Sequence, residues 1–130
     1  MIKKLINIWS SSEQNNLKTP ENVTITFKLS YKDIKIGYLN LNNGIWKYEY
    51  SNEFKNQNSL LPLIDFPDIN KNYESKDLWP FFMSRIPGMG QPMVQEIIKK
   101  EKVQEDDEVS LLKLFGKRTI ANPYTLEPSL

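Results

Sequence analysis

From Val23 onward the chain alternates. Val23, Ile25, Phe27 and Leu29 fall on one side of an extended backbone, with Thr24, Thr26, Lys28 and Ser30 on the other. A period of two marks a half-buried strand. Tyr31-Lys32-Asp33 reads as a short hairpin connection, without the Asn-Gly or Asp-Gly pair of the strongest hairpin signal. Ile34, Ile36 and Tyr38 open a second strand that runs to about Leu41. Asn42-Asn43-Gly44 supplies the next turn, because asparagine tolerates positive φ and glycine prefers it. A third strand spans Ile45 to Tyr50, with Trp46, Tyr48 and Tyr50 on one face. The pattern predicts an antiparallel meander whose aromatic face packs against helices.

Residues 51–76 lose the period and surround an apolar island, Leu60-Leu61-Pro62-Leu63-Ile64, with Asn-rich turns. Pro62 and Pro67 argue for an edge strand or extended packing there. Helical spacing then takes over. Asp77 is placed to cap a short helix that tolerates Pro80 in its first turn and ends at Pro87. Gly88-Met89-Gly90 reads as a flexible corner, and Pro92 suits the first position of a second helix. Met93, Val94, Ile97 and Ile98 form its apolar stripe. A third helix, capped by Asp106 or Asp107, carries Val109, Leu112 and Phe115 and stops at Gly116. The stretch from Arg118 to Leu126 is suited to return to the sheet. The fold class is α+β: a small antiparallel sheet with a helical layer from the C-terminal half. Residues 1–22, polar from Ser10 on, read as a flexible arm, and residues 23–130 as one domain.

Composition narrows the chemistry. Seventeen basic and sixteen acidic residues leave a formal charge of +1, without the basic surplus that phosphate neutralisation requires, so direct nucleic-acid binding is not expected. No cysteine is present, which removes disulfides and thiolate metal sites. No histidine is present either, which removes the usual general base and the Ser-His or Cys-His pair. No catalytic residue, metal site or cofactor is therefore expected. The apolar run Leu5–Trp9 is too short for a signal peptide, and no segment approaches the ~20 apolar residues of a membrane span, so a cytoplasmic protein with no membrane partner is expected.

Three features imitate functional motifs. Gly88-Met89-Gly90 lacks the third glycine and the Lys-Ser/Thr pair of a phosphate loop. The run Glu105-Asp106-Asp107-Glu108 is better read as a solvated helix start than as a cation site. The aromatics of the third strand resemble an RNA-stacking platform, but cross-strand packing is the commoner reason for them.

Residues 77–87 are more informative. On a wheel of about 100° per residue, Leu78, Trp79, Phe81, Phe82, Met83 and Ile86 cover roughly 200° of arc, about twice what one helix face usually buries. Phe81 and Phe82 are assigned to the core. Trp79 and Met83 lie at one margin and belong to residue types enriched at interfaces. Arg85 falls inside the apolar arc, where a cation needs a carboxylate from Asp77 or from a partner. Trp79, Met83, Arg85 and Met89 are the candidate partner-binding residues.

The order of these segments resembles the N-terminal domain of HipA-type Ser/Thr kinases over about residues 24–126. Ile36-Gly37-Tyr38-Leu39 is similar to its Val/Ile-Gly-x-Leu unit. Asn43-Gly44-Ile45-Trp46-Lys47-Tyr48-Glu49-Tyr50 is similar to its glycine turn and aromatic strand. Leu60-Leu61-Pro62-Leu63 and Phe81–Pro87 are similar to its Leu-Ser-Leu-Pro-Leu stretch and Phe-Phe-x-x-Leu-Leu-Pro helix end. In those kinases the domain precedes a kinase core, no part of which lies in these residues. A stand-alone copy resembles the HipS subunits of tripartite HipBST toxin–antitoxin systems. The resemblance implies a non-enzymatic antitoxin that neutralises a HipA/HipT-like Ser/Thr kinase in trans, alongside a HipB-like helix-turn-helix protein. The alternatives are an accessory subunit that completes or activates a split kinase, and a regulatory module of a DNA-bound toxin–antitoxin complex.

Overall fold

The structure is a computed structural model and describes residues 17–129. Strands β1 (Ile25–Tyr31), β2 (Ile34–Asn42) and β3 (Ile45–Tyr50) form the expected meander. Both hairpins close through two residues, with Tyr31 opposite Ile34 and Asn42 opposite Ile45. Lys32, Asn43 and Gly44 take positive φ of 53°, 52° and 77°. At Asn43-Gly44 this is the backbone that a right-twisted two-residue hairpin demands.

The rest of the chain contributes α1 (Asn52–Lys55), β4 (Tyr73–Ser75), α2 (Pro80–Met83), α3 (Pro92–Glu101), α4 (Glu108–Phe115) and β5 (Thr125–Pro128). The five strands run in the order β4-β3-β2-β1-β5, each antiparallel to its neighbours. The return to the sheet is therefore β5, which sets Leu126 opposite Leu29. One sheet face carries Phe27, Leu29, Leu39, Leu41, Trp46, Tyr48, Tyr50 and Leu126, all buried beneath the helices. The opposite face is polar and open, as one-sided antiparallel sheets are. Lys28, Tyr38, Asn40, Lys47 and Glu49 lie there, and Lys47 pairs with Glu74 at 3.4 Å.

A bulge resets the phase of β2. Leu29 pairs with Gly37 and Ser30 with Lys35, so Ile36 is the extra residue. Ile36 and Gly37 are both buried, and Leu39 and Leu41 carry the inward phase onward. Tyr38 thus lies on the open face, out of step with Ile34 and Ile36.

Four expectations are corrected in the helical half. Asp77 caps nothing: Pro80 holds Trp79 extended (φ −65°, ψ 150°), so the helix begins at Pro80, and Asp65 Oδ2 accepts from Phe81 N at 2.9 Å. Met93 leaves the apolar stripe of α3 and is 72% exposed, while Val94 and Ile98 are buried. Pro62 and Pro67 lie in an irregular loop, so of the two readings offered for them the edge strand is excluded, and the strand beside β3 at that edge is β4. The fourth concerns the acidic run. Asp107 does cap α4, accepting from Val109 N and Ser110 N, but Glu108 is only 3% exposed and is no part of a solvated face.

The body of the domain also begins earlier than the composition suggests. Lys18 N donates to Asp106 O at 2.7 Å and Glu108 N donates to Lys18 O at 3.1 Å. Thr19 Oγ1 donates to Glu108 Oε1 at 2.6 Å, and Trp46 Nε1 donates to the same oxygen at 3.0 Å. Residues 17–19 are thus tied to the body of the domain, while residues 1–16 of the expected arm lie outside the described residues.

A candidate docking surface on the 60–66 loop and helix α2

Tyr50 organises this surface from below. Its hydroxyl donates to Phe66 O at 2.5 Å and accepts from Leu63 N at 2.9 Å, so one buried side chain fixes both ends of a tight loop. Burial pushes the Tyr50 hydroxyl up to about 12, against the opposing effect of the Leu63 N–H. Gln57 adds a second clamp: Nε2 donates to Phe54 O and Leu60 O, and Oε1 accepts from Ser59 N and Leu60 N. Ring stacking completes the floor, with Phe66 on Tyr48 at 4.2 Å and Phe54 on Tyr50 at 4.6 Å.

This scaffold points Leu63 and Phe66 inward and leaves their neighbours in water. Leu61 is 81% exposed and Ile64 is 96% exposed. Isolated exposed aliphatics are ordinary on a protein surface. Here two of them stand three residues apart on a loop whose backbone is held by buried hydrogen bonds. The sequence signal was the apolar island itself. Which of its members face outward depends on the Tyr50 hydroxyl, and no periodicity reports that.

Asp65, between Ile64 and Phe66, joins the loop to α2 through its bond to Phe81 N. Trp79 leads into α2, half-buried, its ring edge-on to Phe66 at 5.0 Å. Met83 lies one turn on, half-buried, with its N donating to Trp79 O at 2.9 Å. Trp79 therefore sits beside the loop on its aromatic floor, and Met83 follows it on α2, packed against the core. The structure does not group Arg85 and Met89 with them as exposed contacts.

Arg85 is 3% exposed and turned inward. Past Met83 the helix tightens, with Arg85 N bonding Phe82 O and Ile86 N bonding Met83 O, so the even wheel ends there. Nη1 donates to Gly116 O and Lys117 O, and Nη2 to Asn122 Oδ1 and Tyr124 O. The cation is held by carbonyl and amide oxygens, and the expected carboxylate of Asp77 is not among them. Desolvation lowers the guanidinium to about 10, which leaves it charged at neutral pH. Arg85 is thus a strut joining α2 to the segment before β5. Met89 is half-buried against the core, with its carbonyl accepting from Gln95 Nε2 at 2.5 Å.

Among the described residues, no group of three or more acidic side chains is arranged to hold a metal ion. None of their helices is long and apolar enough to cross a membrane. The model of one protein family, described as the HipA N-terminal domain, matches residues 27–121. The chain belongs to this family. No curated protein matches it. The residues that carry the HipA N-terminal pattern now have physical reasons. Gly37 stands where a Cβ would lie 2.5 Å from Glu49 O and closer still to the Tyr48 hydroxyl, so the aromatic strand cannot approach β2 over any larger residue. The Leu60–Leu63 stretch is the loop clamped by Tyr50, and Phe82 is the buried anchor of α2, 5.7 Å from the Tyr48 ring.

Proposed function

We propose that this HipA N-terminal domain works in trans as an antitoxin-type binding protein, docking onto a HipA/HipT-like Ser/Thr kinase and neutralising it. The observation that carries the reading is the clamped loop. Tyr50 and Gln57 hold its backbone while Leu61 and Ile64 stand 81% and 96% exposed. A surface fixed before contact loses little conformational freedom on binding, so more of its apolar burial appears as affinity. Trp79 borders the loop, Met83 follows it on α2, and both are residue types enriched at interface centres. A HipB-like helix-turn-helix protein in the same complex would supply DNA contact, since this chain's charge of +1 suits a protein partner better than a phosphate backbone.

The test is a binding titration against a HipA-type kinase core lacking its own N-terminal domain. A central interface residue contributes about 2 kcal/mol or more, roughly thirtyfold in affinity. Leu61→Asp with Ile64→Asp should weaken binding by at least that factor and leave the melting temperature unchanged, because both side chains are in water in the free protein. Wild-type affinity in this double variant would place the interface elsewhere.

A further inference from the structure

A second surface lies beyond the C-terminal end of α2. An open groove of about 350 Å³ runs between the start of α3 and the segment that follows α4. Its apolar lining comes from Met93, Val94, Ile97 and Phe115, and its charged lining from Arg85 and Arg118. No acidic side chain lines it. An aliphatic groove with two cations and no counter-charge is complementary to an apolar ligand that carries negative charge.

Three observations sharpen this charge. Arg85, 3% exposed, satisfies its two terminal nitrogens with oxygens of the fold, yet its buried Nε has no partner. Arg118 is exposed at the same groove and makes no ion pair among the described residues. Helix α3 opens onto it, and Gln91 caps that helix without a side-chain hydrogen bond, leaving the positive end of a ten-residue dipole uncompensated. Met93, in the first turn of this helix, is 72% exposed over the apolar lining.

We propose that this groove binds an acidic, apolar peptide segment of a partner protein, its aliphatic side chains against Met93, Ile97 and Phe115 and its carboxylate towards the exposed Arg118 and the N-terminus of α3, with the buried Arg85 adding only its field. A peptide suits it better than a nucleic acid. Two arginines neutralise too few phosphates for useful affinity, and Phe115 is a single ring in an otherwise aliphatic wall, short of a stacking platform for successive bases. This site is separate from the 60–66 loop and does not depend on the kinase reading.

The probe is an N-acetylated, C-amidated hexapeptide of alternating leucine and glutamate, titrated while the methionine methyl groups are followed by NMR. The four methionines give an internal comparison, since Met93 lines the groove and Met83 and Met89 do not. We expect a saturable shift of the Met93 methyl. The same peptide with glutamine for glutamate should bind about tenfold more weakly, as loss of charge-assisted contacts requires. Arg118→Gln should weaken the acidic peptide by about threefold to fivefold, the size of an exposed ion pair. Met93→Glu, at an exposed position that folding does not need, should abolish the binding. An unmoved Met93 methyl, equal binding of the two peptides, or unchanged affinity in Arg118→Gln would overturn the proposal. So would displacement of the peptide by a short DNA duplex at physiological salt, which would assign the arginines to phosphate.

Discussion

Gly37 and Tyr48 decide how closely β2 and β3 pack. A methyl group on Gly37 would meet the backbone oxygen of Glu49 at 2.5 Å, and a carbonyl within a ladder cannot step aside. Gly37→Ala should therefore cost about 1–3 kcal/mol, measured as a lower urea midpoint. Tyr48 itself carries a buried hydroxyl with no hydrogen-bond partner, and burial raises its ionisation well above the usual tyrosine range. Removing an unsatisfied polar atom relieves a desolvation cost of about 1–3 kcal/mol, so Tyr48→Phe should be neutral or stabilising. A loss of stability in that variant would mean that the hydroxyl is satisfied in solution. Glu108 poses the opposite problem, a satisfied but charged group in the core. Burial raises its carboxyl above the ordinary 4.5, and the Thr19 and Trp46 donors recover only part of the shift. A raised carboxyl means that the folded state holds its proton longer than the unfolded chain does. Its contribution is thus largest in acid and is lost as pH rises from about 4.5 through the folded value. Glu108→Gln keeps an oxygen for both donors, so its melting temperature should overtake that of the wild type as pH rises towards 7. A constant difference across that range would contradict the burial effect. No sequence pattern showed this residue's place, because Glu108 belongs to an acidic run that resembles any solvated helix start.

At the level of elements, what could be read from the sequence divides by the range of the forces involved. β1 and β3 were legible because alternation is local, and Trp46, Tyr48 and Tyr50 are indeed buried on one face. The Asn43-Gly44 turn, the proline start of α3 and the Asp107 cap of α4 were legible for the same reason. The phase change at Ile36 was not, since a bulge depends on the pairing of two strands. Nor was β4, whose three residues are too short for a period. The start of α2 depends on both ranges: Pro80 sets it locally, but its side-chain acceptor is Asp65, sixteen residues upstream. Asp65→Ala should therefore cost about 1 kcal/mol in chemical unfolding, while Asp77→Ala should cost nothing. The reverse order would return the cap to Asp77.

For the whole molecule, the candidate surface was half visible from sequence. The excess apolar arc singled out Trp79 and Met83 as margin residues, and both are half-buried. It also drew in Arg85, which the fold consumes through Gly116, Lys117, Asn122 and Tyr124. Leu61 and Ile64 were passed over because an apolar island reads as core until a buried tyrosine is seen holding its backbone. Trp79→Ala should lower both kinase affinity and stability, since its ring also packs on Phe66 at 5.0 Å. The Leu61 and Ile64 variants should separate the two effects. In isolation the chain should show no saturable ATP binding by calorimetry, and micromolar binding would contradict a purely protein-binding role. The central claim is tested most directly by autophosphorylation of a HipA-type kinase core that lacks its own N-terminal domain, followed as this chain is added. Activity should fall to background at one equivalent of the wild-type chain, and should persist at one equivalent of the Leu61→Asp, Ile64→Asp double variant. Undiminished or stimulated phosphorylation with the wild-type chain would contradict neutralisation by docking.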